Sequence, residues 1–283
     1  MFIRIAQVCI YIVFCTLLRV GPWRYFQLNA GYFNRSKGIF SKLDIDQIIP
    51  PKWRLPQWVD HSGIVPVSYP VFLKPEWGQN SKGIQRADNV EEFEQLRLLK
   101  PRSKVQYLVQ QGAQQSIEFE IFLIPSPLHF HKSQDSELGV ISITQVSNSS
   151  AEVNPINGIY NSNTRYFDIS SQLSPTQKQH LYCLLRTVGS FNIARYGLRA
   201  NSIDQLLQGD FSIIEINLFF PMPLILLSNN VSQRQKWSFI IRSMWLLARV
   251  TKAMPKDQLY KDIFFKKMEF FSQVKDFKQK ELN

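Results

Sequence analysis

The stretch from Tyr196 to Asn217, YGLRANSIDQLLQGDFSIIEIN, decides how the rest of the sequence is read. Its two ends, residues 196–202 and 211–217, read as strands joined by the polar connection 203–210. In a strand, side chains two residues apart share a face. Glu215 and Asn217 therefore lie together, with Ile214 and Ile216 opposite, and Arg199 and Asn201 do the same in the first strand. If the strands pair as a hairpin, one surface carries a carboxylate, two amide oxygens and a guanidinium. Oxygen ligands of that kind suit Mg²⁺, which keeps waters and bridges substrate phosphates. An adjacent arginine can neutralise charge on a transferring phosphoryl group. A solvated polar strand face is the competing reading.

Upstream, residues 67–75, VSYPVFLKP, form a compact β-branched and aromatic run ended by proline, hence a strand. A lysine at its end, Lys74, must direct its ammonium to solvent or to an anion, because unpaired burial is costly. Gly78-Gln79-Asn80-Ser81-Lys82-Gly83 follows, a polar loop whose backbone N–H groups could face phosphate oxygens. It is not a Walker A sequence, and a plain turn carrying a surface lysine stays open. Asn89 caps a helix with Val90, Phe93, Leu96 and Leu99 at helical spacing. Further strands are expected at 105–110, 117–124 and 139–146, and a helix at 175–191. Glu118 and Glu120 share a strand face, where a carboxylate could accept ribose hydroxyls. Strands and helices that alternate irregularly, without an internal repeat, argue an α+β fold.

The 283 residues suffice for one large domain or two modest ones, and 45% hydrophobic content argues against disorder. A net charge of +11 favours polyanions: nucleotide phosphates, nucleic acid or an anionic membrane face. The basic residues are scattered and no nucleic-acid motif is present, so no nucleic-acid partner is expected. Cys9, Cys15 and Cys183 show no C-x-x-C spacing, which suits a reduced, cytoplasmic setting. Residues 5–18, IAQVCIYIVFCTLL, are shorter than the ~20 residues of a spanning helix. With Arg4, Arg19, Trp23 and Arg24 bordering it, this segment reads as a buried or interfacial helix, and peripheral membrane contact through residues 1–24 stays open. Residues 29–66 show no sustained period and read as an irregular lead-in. Beyond Pro223 the chain reads as helical, ending in an amphipathic Lys-rich tail at 257–283. His129 and His131 lack partners for a zinc site.

Taken in order, these segments resemble the ATP-grasp superfamily, specifically the D-alanine–D-alanine ligase-like carboxylate–amine ligases. YPVFLKPEWGQNSKGI resembles the family's strand with its phosphate-binding lysine and lid loop. YLVQQGAQQSIEFEIFLI is similar to the adenine linker and the ribose-binding strand, and RYGLRANS with FSIIEIN to the closing hairpin. The resemblance implies two α+β subdomains closing on a nucleotide, with a reduced lead-in at 1–66, a core at 67–225 and a helical extension at 226–283. It implies that Lys74 and Lys37 contact the α- and β-phosphates, and that Gly78, Gln79, Asn80, Ser81 and Gly83 cover the phosphates. Gln110, Gln111 and Ala113 would contact adenine and Glu118 the ribose. Arg199 would stabilise the transferring phosphoryl group, and Asn201, Glu215 and Asn217 would hold Mg²⁺. The implied activity is ATP-dependent activation of a carboxylate for attack by an amine. Two departures stand out: Asn201 replaces the family's aspartate, and apolar Leu218-Phe219-Phe220 follows Asn217. A catalytically impaired nucleotide-binding protein or a membrane-surface scaffold is the alternative these departures leave.

Overall fold

The computed structural model describes residues 2–61, 64–78, 81, 83–99, 106–127, 139–150, 154–257 and 262–270. Helices α1 (Phe2–Leu17), α2 (Lys42–Gln47), α3 (Val90–Leu98), α4 (Pro175–Arg186), α5 (Ile203–Gln208) and α6 (Gln233–Ala253) accompany nine strands. These are β1 (Gln57–Val59), β2 (Val71–Pro75), β3 (Gln85–Ala87), β4 (Tyr107–Gln111), β5 (Ile117–Ile124), β6 (Val140–Asn148), β7 (Thr164–Asp168), β8 (Ala194–Ala200) and β9 (Ser212–Asn217). They form a four-stranded sheet, β1-β4-β2-β3, and a five-stranded sheet, β7-β6-β5-β8-β9. Every pairing is antiparallel. The fold is α+β, as the sequence implies.

The pleat sorts each strand's side chains. On β2, Val71 and Leu73 turn to Phe93 of α3 and form the smaller core, leaving Phe72 and Lys74 on the opposite face. The Asn89 side chain caps α3 by accepting the Glu92 N–H. On β5, Phe119, Ile121 and Leu123 pack against Leu181 and Leu185 of α4 and Leu206 of α5. The other face of β5 carries Glu118 and Glu120, then Phe122 and Ile124, which meet the α1 and α6 side chains of a second core.

The N-terminal helix docks on α6. A buried hydrogen bond of 2.9 Å joins the Tyr11 and Thr251 hydroxyls, Cys15 is fully buried, and Phe14 meets Trp245 edge-on. None of the described helices is long and apolar enough to cross a membrane.

The stretch before β2 holds more structure than its lack of period suggests. Ser41 caps α2, and Trp53 stacks on Phe211 with its indole N–H on the Gly209 carbonyl at 2.8 Å. The Ile213 N–H donates to the Trp53 carbonyl, fixing this segment to β9. The short strands β1, β3 and β7 also escape sequence reading, because three to five residues carry too little pattern. The strand expected at 67–75 begins only at Val71, after the Tyr69–Pro70 cis bond, and Val67 is exposed. The helix expected to reach 191 ends at Arg186, where Thr187 caps it. Of the tail at 257–283, residues 263–270 are helical, and 258–261 and 271–283 lie outside the described residues.

Trp53→Ala removes a fully buried ring, its stack on Phe211 and its hydrogen bond to Gly209, so it should cost about 3–5 kcal/mol in urea unfolding. A cost under about 1 kcal/mol would show that the segment before β1 is not part of the cooperative core.

Candidate functional site

The two sheets face each other across a cleft. Phe72, Lys74, Gln110, Gln111 and Ala113 line one wall; Glu118, Glu120, Arg195, Arg199 and Glu215 line the other. Ser81 and the segment Asn154–Gly158 close one side. The Ser81 hydroxyl donates to the Asn157 carbonyl at 2.6 Å, tying the loop after β2 to the far wall. Gly83, at φ +76°, takes the left-handed turn that a β-carbon would strain. Gln79, Asn80 and Lys82 of this loop lie outside the described residues, as do His129 and His131.

Lys74 is 5% exposed and makes no hydrogen bond or ion pair with any described residue. Burial, with help from the neighbouring charge of Lys42, pulls its ammonium down to about 7 from 10.5, against Glu215 and Asp46. Asp46, on the other side of the small recess these groups share, is pushed up to about 6 by burial, against Lys74 and Arg54. Lys42 donates to the Pro75 carbonyl at 2.9 Å, and burial lowers it against the pull of Glu215 and Glu76. Lys37 lies elsewhere. Its ammonium is 2.6 Å from the buried Glu76 carboxylate, which also accepts from the Ser41 hydroxyl. The lysine that shares the recess with Lys74 is thus Lys42, whereas the resemblance implied Lys37.

The facing wall is a chain of paired charges. Arg199 is 3.1 Å from Glu118 and also donates to the Asn154 side chain. Asn157 donates to the same Glu118 oxygen at 2.9 Å. Burial pushes the Glu118 carboxyl up, and Arg199 opposes it. Farther along β8, Arg195 sits between two carboxylates. It donates to Glu215 at 3.1 Å, and its Nε is 3.0 Å from Glu120 without the alignment of a hydrogen bond. Burial pushes Glu120 up to about 8, opposed by Arg195 and reinforced by Glu215 and Glu118. Glu215 feels burial too, but Arg195, Lys42, the Asn217 amide and Lys74 together hold it below the usual range.

Strand register corrects the hairpin expectation. Gly197 lies opposite Glu215 and Arg195 opposite Asn217; a bulge after Gly197 then sets Arg199 opposite Ser212. Arg195, not Arg199, is therefore the guanidinium beside Glu215. Arg195 shares a strand face with Arg199, so alternation alone allowed either, and only the bulge separates them.

Of the proposed metal ligands, Glu215 and Asn217 are neighbours and Asn201 lies apart. Asn201 lies past the end of β8, where its side-chain oxygen accepts the Ser116 N–H at 3.1 Å. Asn217 turns its amide N–H onto Glu215 at 2.7 Å, so it faces that carboxylate as a donor. Among the described residues no cluster of three or more His, Cys, Asp or Glu forms. The set Asn201, Glu215 and Asn217 thus does not fit a three-ligand Mg²⁺ site; of the three, only Glu215 lines the cleft.

No protein-family model and no curated protein matches this sequence. Among solved structures, the chain is similar to the D-alanine–D-alanine ligase of Bacillus anthracis complexed with ATP. The identity is 13%, over 81% of this chain and 68% of that one, at a TM-score of 0.45. A second structure of that ligase gives 12% identity over 81% and 69%, at 0.47. The L-amino acid ligase of Bacillus licheniformis gives 16% over 80% of this chain, at 0.45, and the chain spans half of that ligase's length.

Arg195→Ala leaves the buried Glu120 and the half-buried Glu215 without their shared cation and should cost about 3 kcal/mol in urea unfolding. Adding Glu120→Gln should recover a large part of that loss. Strictly additive losses would contradict the coupling.

Proposed function

We propose that the cleft binds ATP and that the protein is an ATP-dependent ligase, activating a carboxylate for attack by an amine. The observation that carries this reading is Lys74, a buried cation with no partner among the described residues. A buried ammonium in that position is stabilised by an anion entering beside it, and polyphosphate supplies one of the right charge. Lys42 adds a second positive group on the same side. Gln110, Gln111 and Ala113 at the end of the four-stranded sheet offer polar and backbone groups for a base, and Ser81 and Gly83 carry the covering loop.

In the reaction, a substrate carboxylate oxygen attacks the γ-phosphorus and ADP departs. An amine then attacks the acyl carbon, losing a proton, and inorganic phosphate leaves. This chain's contribution is positioning and charge stabilisation. Arg195 is the guanidinium suited to the transferring group, because it stands 3.1 Å from Glu215, whereas the bulge after Gly197 carries Arg199 away to Glu118 and Asn154. Glu120, pushed up to about 8, is suited to hold or take a proton near neutrality. Sustained turnover of Mg·ATP to ADP and phosphate only when both an acid and an amine are present would separate a ligase from a protein that merely binds nucleotide.

Mg·ATP at a hundredfold excess over its Kd should stabilise the protein by about 2.7 kcal/mol, roughly 5 °C or more in Tm. Lys74→Ala should abolish this shift; an equal shift in the variant would remove the basis of the reading. The pH dependence has a defined sign. Lys74 titrates near 7 in the fold against 10.5 ordinarily. Folding therefore favours its neutral form, and stability should rise with pH between those values. An anion bound beside it restores the proton, so nucleotide affinity should fall by up to about tenfold per unit above pH 7. Lys74→Arg, which stays charged, should flatten that fall in a calorimetric titration.

A further inference from the structure

An apolar cavity of about 290 Å³ lies beneath α1. Val8, Tyr11 and Ile12 form its roof, Met244 and Leu247 of α6 one side, and Phe122 and Ile193 its floor. Protein interiors rarely leave apolar spaces much larger than a water molecule, and those that persist take apolar ligands.

Its position gives it meaning. Phe122 follows Glu120 by two residues on β5, and Ile193 precedes Arg195 by two at the start of β8. Both pairs share a sheet face. The cleft and the apolar cavity thus lie along one sheet face, with no lining residue in common among the described residues. Met222 forms the partition, since it lines the cavity and packs with Tyr166 and Leu224, which line the cleft. Its carbonyl accepts from Arg195 at 3.3 Å. Methionine is the apolar side chain best able to yield to an entering chain. Beside it, Phe220 is held at φ +52°, a left-handed conformation costly for a bulky residue, with its ring 4.5 Å from Tyr25 at the cavity edge. Strain of this kind persists at ligand clamps because surrounding contacts enforce it. Arg4 and Gln7 supply the polar side chains of the α1 wall, and the chain's charge of +11 favours an anionic ligand.

We propose that this cavity receives the hydrocarbon tail of a long-chain carboxylate, with the tail under α1 and the carboxylate directed along the sheet face toward Arg195. On the ligase reading, on which this identification of the substrate rests, such an amphiphile is the acid that becomes activated. Binding of the tail itself requires no nucleotide.

The experiment is displacement of a dansylated fatty-acid probe from the full-length protein by saturated fatty acids of increasing length, each below its micellar concentration. Affinity should rise about fourfold per added methylene, then level off once the cavity is filled. Val8→Trp fills the roof and should weaken binding tenfold or more. Ile12→Glu puts a charge against the tail on the same wall and should weaken carboxylates and alkyl alcohols of equal length alike. Affinity that ignores chain length, that climbs without levelling, or that survives both variants would overturn the proposal. So would binding to anionic vesicles without binding to the monomeric acids. Mg·ATP stabilisation, measured in parallel, should be unchanged by Val8→Trp. Its loss in wild type with fatty-acid binding intact would defeat the nucleotide reading alone, and the reverse pattern would defeat the tail site alone.

Discussion

Desolvation of charge governs this cleft. Lys74 comes from an apolar strand, and the alternation that buries Val71 and Leu73 under α3 forces its side chain to the opposite face. The opposite face is closed by the second sheet, so the side chain is buried at the cleft wall without a partner among the described residues. Across from it the same alternation on β5 and β8 delivers Glu118, Glu120, Arg195 and Arg199 as neighbours. Four such charges are tolerable in low dielectric because each is paired: Glu118 with Arg199, and Glu120 with Arg195, which also holds Glu215. Lys74 is the member left over.

That asymmetry links architecture to chemistry. The paired wall is preorganised, because its charges hold one another and the Asn154–Gly158 segment in place. The lysine wall is electrostatically incomplete, and on the proposed reading a polyphosphate is what would complete it. The support is distributed. Trp53 fixes β9 from behind and Ser81 ties the loop after β2 to the opposite wall. On the same sheet face, past Phe122 and Met222, charge gives way to an apolar cavity.

Much of this was legible in the residues. A β-branched and aromatic run ended by proline identified β2, and the cost of burying an unpaired ammonium singled out Lys74; period-two alternation grouped Glu118 with Glu120 and Glu215 with Asn217. Alternation carries no register, and a single bulge after Gly197 decided that Arg195 and not Arg199 stands beside Glu215. Asn201 was misplaced for the same reason: beyond the end of β8 its side chain turns to Ser116. Lys42 and Asp46 were hidden for another. They sit on a six-residue helix in a segment without hydrophobic period, and only tertiary packing brings them to Lys74. Lys37 was drawn toward phosphate by its neighbourhood in sequence, whereas Glu76, buried one residue after β2, captures it in space.

The central claim is that Lys74 is a buried, unpaired cation that a nucleotide completes. Its most direct test is NMR titration of the Lys74 side chain in the full-length protein, with and without Mg·ATP. The account predicts a midpoint near 7 in the free protein, where burial holds it, and a rise when nucleotide is bound. A midpoint near 10.5 in the free protein, unmoved by nucleotide, would contradict it.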